Sequence, residues 1–153
     1  MGRRIGAYVI DSAFVLLMFT AVVSAVSPES GISSASLTNE RTYILAGLAG
    51  GAIQLVYFVL GWTFWRGTPG QRLLGISVVG GSDGKAMSAM DAIVRWAVLQ
   101  GPFALVTITP LAISPVVAAL ALGWSAYLFY STQSDANHQG LHDHFLKTRV
   151  VAS

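Results

Sequence analysis

The chain has 153 residues, of which 54% are hydrophobic and only 10% are charged, whereas a soluble domain carries about 25% charged residues. This composition excludes an ordinary soluble protein and predicts a single domain embedded in lipid. The net charge of +2 comes from scattered basic residues, which excludes a nucleic-acid surface, and the absence of cysteine excludes thiolate metal sites and cysteine nucleophiles.

Four apolar stretches are long enough to cross a membrane, which takes about 20 largely apolar residues as a helix. We therefore predict an all-α membrane protein: a four-helix transmembrane bundle with a short cytoplasmic loop or strand element. The predicted spans are residues 5–26, 43–65, 91–113 and 116–132.

The segments between the spans are polar or rich in turn residues. Residues 27–42 predict an aqueous loop, and residues 66–90 predict a cytoplasmic loop that contains a short strand or interfacial segment at Leu73–Val79. The tail, residues 133–153, ends in a possible strand. Within the third span, the pair Gly101-Pro102 predicts a kink, because proline lacks the backbone N–H that a helix interior needs.

The distribution of positive charge predicts the orientation. In the four-span scheme, eight of the nine Lys and Arg residues fall on one side, and only Arg41 falls on the other. Since positive residues concentrate in cytoplasmic segments, both termini and the 66–90 loop are expected in the cytoplasm.

Asp11 is a carboxylate inside the first span, on the same helix face as Arg4 and about 10 Å deeper. A charge at this depth needs a partner or a proton. Arg95 is the leading candidate, although Arg95 could pair with Asp91 on its own helix and leave Asp11 to Arg4 or water. The Asp11–Arg95 pair would either clamp two helices together or form a site that binds or relays a cation.

Two amides and two glycines lie within the spans. Gln54 and Gln100 are expected to form hydrogen bonds inside the bundle, either between helices or along a polar path. Gly47 and Gly51 form a small-xxx-small pattern, which suits close packing within the chain or between two copies.

The sequence offers no pattern for catalysis or metal binding. The tail histidines, His138, His142 and His144, match no zinc spacing, and there is no nucleophile elbow and no evident carboxylate pair. We expect no metal, no cofactor and no enzymatic activity.

Three segments in order, RRIGAYVIDS, RGTPGQRLLGISVVGGSDGKAMSAMDAIVRW and HQGLHDHFLKTRVV, resemble the RDD family of small bacterial integral membrane proteins. The family is named for an arginine and two aspartates. The resemblance maps the arginine onto Arg4 or Arg3, and the aspartates onto Asp11 and Asp143. It also implies a cytoplasmic motif made of Gly70, Gln71, Gln139, Gly140, His142 and Asp143.

The resemblance implies a protein of the bacterial cytoplasmic membrane with a transport role, most concretely cation/proton exchange. The alternative is an interaction or assembly module that stabilises a partner without transport or catalysis. The expected partners are the lipid bilayer, a monovalent cation or proton, and a second copy or another membrane protein. We also expect the Gln139–Asp143 turn to dock on the Gly67–Gly75 loop.

Overall fold

A computed structural model describes residues 2–26, 40–80, 84–135 and 139–152. Residues 27–39 of the predicted aqueous loop lie outside the described residues, and so does His138. In chain order the elements are α1 (Gly2–Val26), α2 (Glu40–Trp65), α3 (Pro69–Leu73), β1 (Ile76–Gly80), α4 (Ala89–Leu99), α5 (Gly101–Ile108), α6 (Ser114–Ser134), α7 (Leu141–Phe145) and β2 (Thr148–Ala152).

Among the described residues, three helices are long and apolar enough to cross a membrane: α1, α2 and α6. A helix of the length of α1 spans about 37 Å, more than the roughly 30 Å of a bilayer's hydrocarbon core. The pair α4 and α5 gives a fourth span if it counts as one crossing. The chain is therefore a mostly helical, multi-pass membrane protein with three or four crossings.

The third predicted span is broken where the sequence places Gly101-Pro102. Helices α4 and α5 meet at Gln100 with a bend of 62°, which confirms the predicted kink. Helix α5 ends at Ile108 instead of residue 113, because a turn at Pro110 follows, in which Ile113 N donates to Pro110 O.

A two-stranded sheet joins the 66–90 loop to the tail. Strands β1 and β2 are antiparallel, with Val78 opposite Val150 and Gly80 opposite Thr148. The short strands expected in both segments are thus present. Helix α7 packs on α4, α6 and β2, and the strands connect the tail to the 66–90 loop, so docking of the Gln139–Asp143 turn on the Gly67–Gly75 loop stays a prediction. We call α3, β1, α7 and β2 together the cap.

The buried core lies where the cap meets the helices. It is an apolar cluster from α1, α2, β1, the β1–α4 connection and α4: Val15, Phe58, Trp62, Val78, Met87 and Ala92. Further from the cap, Gly47 packs so closely on Thr107 of α5 that a Cβ would overlap its backbone. The small-xxx-small pattern therefore serves packing within the chain.

Candidate functional site

Helix α1 presents three polar side chains to one cavity. Arg4, Tyr8 and Asp11 follow each other at spacings of four and three, so they share one face of the helix. Asp11 is only 1% exposed, and Ala7 and Val15, one turn to either side, are also buried. This face of α1 therefore points into the protein instead of into lipid.

The carboxylate of Asp11 accepts three hydrogen bonds from uncharged donors. Tyr57 Oη of α2 donates to Oδ1 at 2.7 Å, and the backbone N of Gly70 donates to the same oxygen at 2.8 Å. Thr68 Oγ1 donates to Oδ2 at 2.5 Å. These contacts connect α1, α2 and the cap. A carboxylate with this set of donors is stabilised without a cation at its side.

The donors Thr68 and Gly70 are positioned by the start of α3. Thr68 is the N-cap of this short helix, and the Thr68–Gln71 pair forms a capping box. Gln71 Oε1 accepts from Thr68 N at 3.0 Å and from Trp62 Nε1 of α2 at 3.1 Å. A Cβ on Gly70 would lie 2.5 Å from Ala7 O, so only glycine permits this close approach to α1.

Arg95 pairs with Asp143 and not with Asp11, so the predicted Asp11–Arg95 ion pair is wrong. Arg95 Nη1 donates to Asp143 Oδ1 at 2.5 Å and to Thr148 Oγ1 at 2.6 Å. Both charged residues are buried, with exposures of 3% and 1%. The guanidinium also lies 5.4 Å from the ring centroid of Trp62. The pair thus holds α7 and β2 of the cap against α4.

The remaining residues of the predicted cytoplasmic motif lie before or within α7. Gly140 N donates to Asp143 Oδ2 at 3.3 Å, and Gln139 N donates to Asp135 Oδ1 at 3.1 Å. His142 lies in α7, and its side chain is outside the described part of the chain. Arg4 interacts electrostatically with both Asp143 and Arg95. The site therefore has two parts. One part is centred on Arg95 and includes Arg4 and Asp143. The other is centred on Asp11 and includes Gly70 and Gln71.

A cavity of about 360 Å³ lies between these two parts; we call it the cap-side cavity. Its volume falls within the range of about 300–1,000 Å³ that is usual for ligand pockets. Its walls come from α1, α2, α3, α4, α5, α6 and the sheet. Its charged and amide groups are Arg4, Asp11, Gln71, Arg95 and Gln100, and most other lining residues are apolar.

A second cavity of about 430 Å³ continues away from the cap; we call it the far cavity. The two cavities meet at a contact between Tyr8 and Gln100, which line both. Gln100 Nε2 lies 3.0 Å from Tyr8 Oη, and Tyr8 Oη lies 3.2 Å from Gln100 Oε1. Gln100 thus has the hydrogen bonds that the sequence predicts.

Gln54 lines the far cavity, and among the described residues its side-chain oxygen lacks the hydrogen bond that the sequence predicts. Its Oε1 is buried and has no hydrogen-bond partner among the described residues. A buried acceptor without a partner is costly unless water or a ligand supplies a donor. The predicted hydrogen bond of Gln54 Oε1 inside the bundle is thus not formed among the described residues.

Sequence reasoning missed several partners at this site. Thr68 was missed, although it forms with Gln71, a residue of the predicted cytoplasmic motif, the Thr-x-x-Gln signature of a capping box at the start of α3. Tyr8 shares its helix face with Asp11, and this spacing is visible in the sequence. Nothing local marks Tyr57 or Thr148, because their roles depend on how α2 and β2 pack.

The chain matches a known protein family. The model of the RDD family matches residues 1–147. The chain belongs to the RDD family. Neither a curated protein nor a solved structure matches it. Asp11 and Asp143, onto which we mapped the two aspartates of the family name, lie at or beside the cap-side cavity, and so does Arg4, one of the two candidates for its arginine.

Proposed function

We propose that this RDD protein is a small transporter of the bacterial cytoplasmic membrane, with a path through the two cavities. The observation that carries the proposal is their arrangement: the cap-side cavity and the far cavity meet at the Tyr8–Gln100 contact. This contact would separate the two sides of the path. Phe58 and Phe103 line both cavities as well, so a connection would involve the side chains around this contact.

The break in the third span supports the Tyr8–Gln100 contact as the barrier between the two cavities. Helices α4 and α5 are interrupted at Gln100, and interrupted helices in a membrane are tolerated where they line a cavity. Many transporters bind their substrates at such breaks, near the midplane of the bilayer. The unpartnered Oε1 of Gln54 supplies a polar group beyond the break.

The charge distribution supports a cytoplasmic position for the cap. Exposed basic residues surround it: Arg66, Arg72, Lys85, Lys147 and Arg149. Positive residues near the ends of spans favour the cytoplasmic side. Under this orientation, the cap-side cavity faces the cytoplasm and the far cavity faces the outside.

A monovalent cation or proton is the substrate class that the family resemblance implies. Asp11 is the carboxylate that lines the path, and its three donors would have to release it for a cation or proton to bind. Four spans without an inverted repeat are few for alternating access. The proposal therefore includes a homo-oligomer.

Flux through purified protein tests the proposal. Protein in sealed vesicles with an imposed proton or sodium gradient should dissipate the gradient, and Asp11→Asn should abolish the flux. Gln100→Leu should lower the rate at least tenfold, because an apolar side chain replaces the polar contact between the cavities. Gln133→Leu, at an exposed position of α6 that lines neither cavity, is the matched control and should conduct like the wild type. A gradient that persists with wild-type protein would contradict the proposal.

A second candidate function is the interaction module, which one specific observation favours. The carboxylate of Asp11 accepts three hydrogen bonds inside the chain, and the charge of Arg95 is paired with Asp143, as a purely structural role requires. Under this proposal, the charges hold the cap on the helices and the cap binds a membrane partner. Absence of flux, together with co-purification of one defined membrane protein in a fixed ratio, would support it.

A further inference from the structure

The break between α4 and α5 leaves one backbone carbonyl without its usual donor. In an α-helix each carbonyl accepts from the N–H four residues later, and for Val98 O this position is Pro102. Proline has no backbone N–H, so this hydrogen bond cannot form. Inside a membrane, a carbonyl that has lost its donor costs free energy unless a neighbouring group replaces the donor.

Trp124 of α6 replaces the missing donor. Its Nε1 donates to Val98 O at 2.8 Å. Helix α6 packs on α5, and this hydrogen bond connects it to α4 as well, so α6 contacts both sides of the break. Trp124 is 36% exposed and lines neither cavity. Its indole therefore acts on the break and not on a molecule in the cavities.

Gln100 is the residue whose position depends most directly on this break. Its backbone is bonded to both helices, because Gln100 N donates to Trp96 O at 2.7 Å and Ala104 N donates to Gln100 O at 2.9 Å. Its side chain contacts Tyr8 of α1. The bend of 62° between α4 and α5 thus determines where the Gln100 side chain meets Tyr8.

We propose that Trp124 is a positioning residue of the barrier between the two cavities. Its indole N–H replaces the donor that Pro102 lacks and fixes the angle between α4 and α5, and this angle holds Gln100 against Tyr8. When the indole leaves Val98 O, the two helices turn more freely about the break and Gln100 separates from Tyr8. A movement of α6 is thereby coupled to the barrier. This control of the barrier rests on the proposed transport function, whereas the role of the hydrogen bond at the break does not.

Hydrogen exchange in the purified full-length protein tests the role of the bond at the break. Trp124→Phe removes the N–H and keeps an aromatic ring. The amides of Gln100 and Ala104 should then exchange about threefold to tenfold faster, which corresponds to the loss of one hydrogen bond between helices in a membrane. Trp65→Phe is the matched control, because it removes an exposed indole from the end of α2 that lines neither cavity, and it should leave these amides unchanged.

Pro102→Ala separates the donor from the packing of the ring. Alanine restores the backbone N–H that can donate to Val98 O, so Trp124→Phe should no longer change the exchange of the two amides in this background. An equal increase in both backgrounds would assign Trp124 to packing alone and overturn the proposal. Unchanged exchange in Trp124→Phe with the natural Pro102 would overturn it as well.

Flux in sealed vesicles tests the effect on the barrier. Trp124→Phe should dissipate an imposed gradient at least about threefold faster than the wild type, because Gln100 leaves Tyr8 more often. Pro102→Ala should remove this increase. If the wild type conducts and Trp124→Phe conducts equally fast, Trp124 does not position the barrier. A wild type that does not conduct would contradict the transport proposal, while the exchange measurements would still decide whether Trp124 supplies the missing donor.

Discussion

At Asp11, a carboxylate buried to 99% inside a largely apolar helix is stabilised by hydroxyl and backbone donors. Hydrogen bonds to a charged acceptor are about twice as strong as those between neutral groups, so this set offsets much of the cost of burial. The sequence shows that a charge lies at this depth. It does not show that a five-residue helix after α2 reaches the same depth and supplies two of the donors.

Removing one donor should weaken the site by a measurable amount. Tyr57→Phe deletes the hydroxyl that donates to Asp11 Oδ1 at 2.7 Å and leaves the ring in place. We expect a loss of about 1–2 kcal/mol in the free energy of unfolding, seen as a lower melting temperature in detergent. Tyr127→Phe is the control, because Tyr127 is 50% exposed and makes only a ring contact with Trp124. Equal melting temperatures for the two variants would contradict the account.

Gly70 tests the close approach between α3 and α1. In Gly70→Ala, the new Cβ would lie 2.5 Å from Ala7 O and 2.7 Å from Asp11 Oδ1, so α3 has to move and Asp11 loses donors. We expect a large drop in the melting temperature. Gly123→Ala is the matched control, since its Cβ meets nothing within 4 Å and alanine favours a helix. A wild-type melting curve for Gly70→Ala would show that this contact is not tight.

At the scale of elements, a buried ion pair and a strand pair hold the cap together with the hydrogen bonds to Asp11. Arg95 and Asp143 connect α4 to α7, while β1 and β2 connect the loop to the tail. Hydrophobic length and the Gly101-Pro102 pair predict the helices and their kink, because these are local properties. The partner of Arg95 could not be predicted in this way. Asp143 is 48 residues away and reaches Arg95 only after the tail folds back onto the bundle.

Asp143→Asn should loosen the cap while the spans stay folded. The substitution keeps the shape of the side chain but leaves the buried guanidinium of Arg95 without a counter-charge, which costs about 3–5 kcal/mol. We expect faster amide hydrogen exchange in both strands of the cap, with little change in α1 and α2. The control, Asp135→Asn, removes a surface pair with His144 that is worth about 0–1 kcal/mol. Unchanged exchange in Asp143→Asn would exclude the pair as the link that holds the cap.

For the whole molecule, three features support the proposed path: a broken span, two cavities that meet at the break, and polar groups along both cavities. Composition predicts the membrane location, and the mid-span position of Gln54 and Gln100 is compatible with a polar path. Neither predicts cavities, because these depend on how far the helices stand apart.

Water access along this path is the most direct test of the central claim, and the absence of cysteine makes it simple. Single cysteines react with a membrane-impermeant maleimide only where water reaches them, since the thiolate is the reactive form. The informative positions are Ser125→Cys in the cap-side cavity and Ala46→Cys in the far cavity, with Ala126→Cys on the exposed face of α6 as the control. The account predicts labelling of Ser125→Cys from the cytoplasmic side, labelling of Ala46→Cys from the opposite side, and no labelling of Ala126→Cys. If the first two positions are as unreactive as the third, the cavities hold no water and the path does not exist.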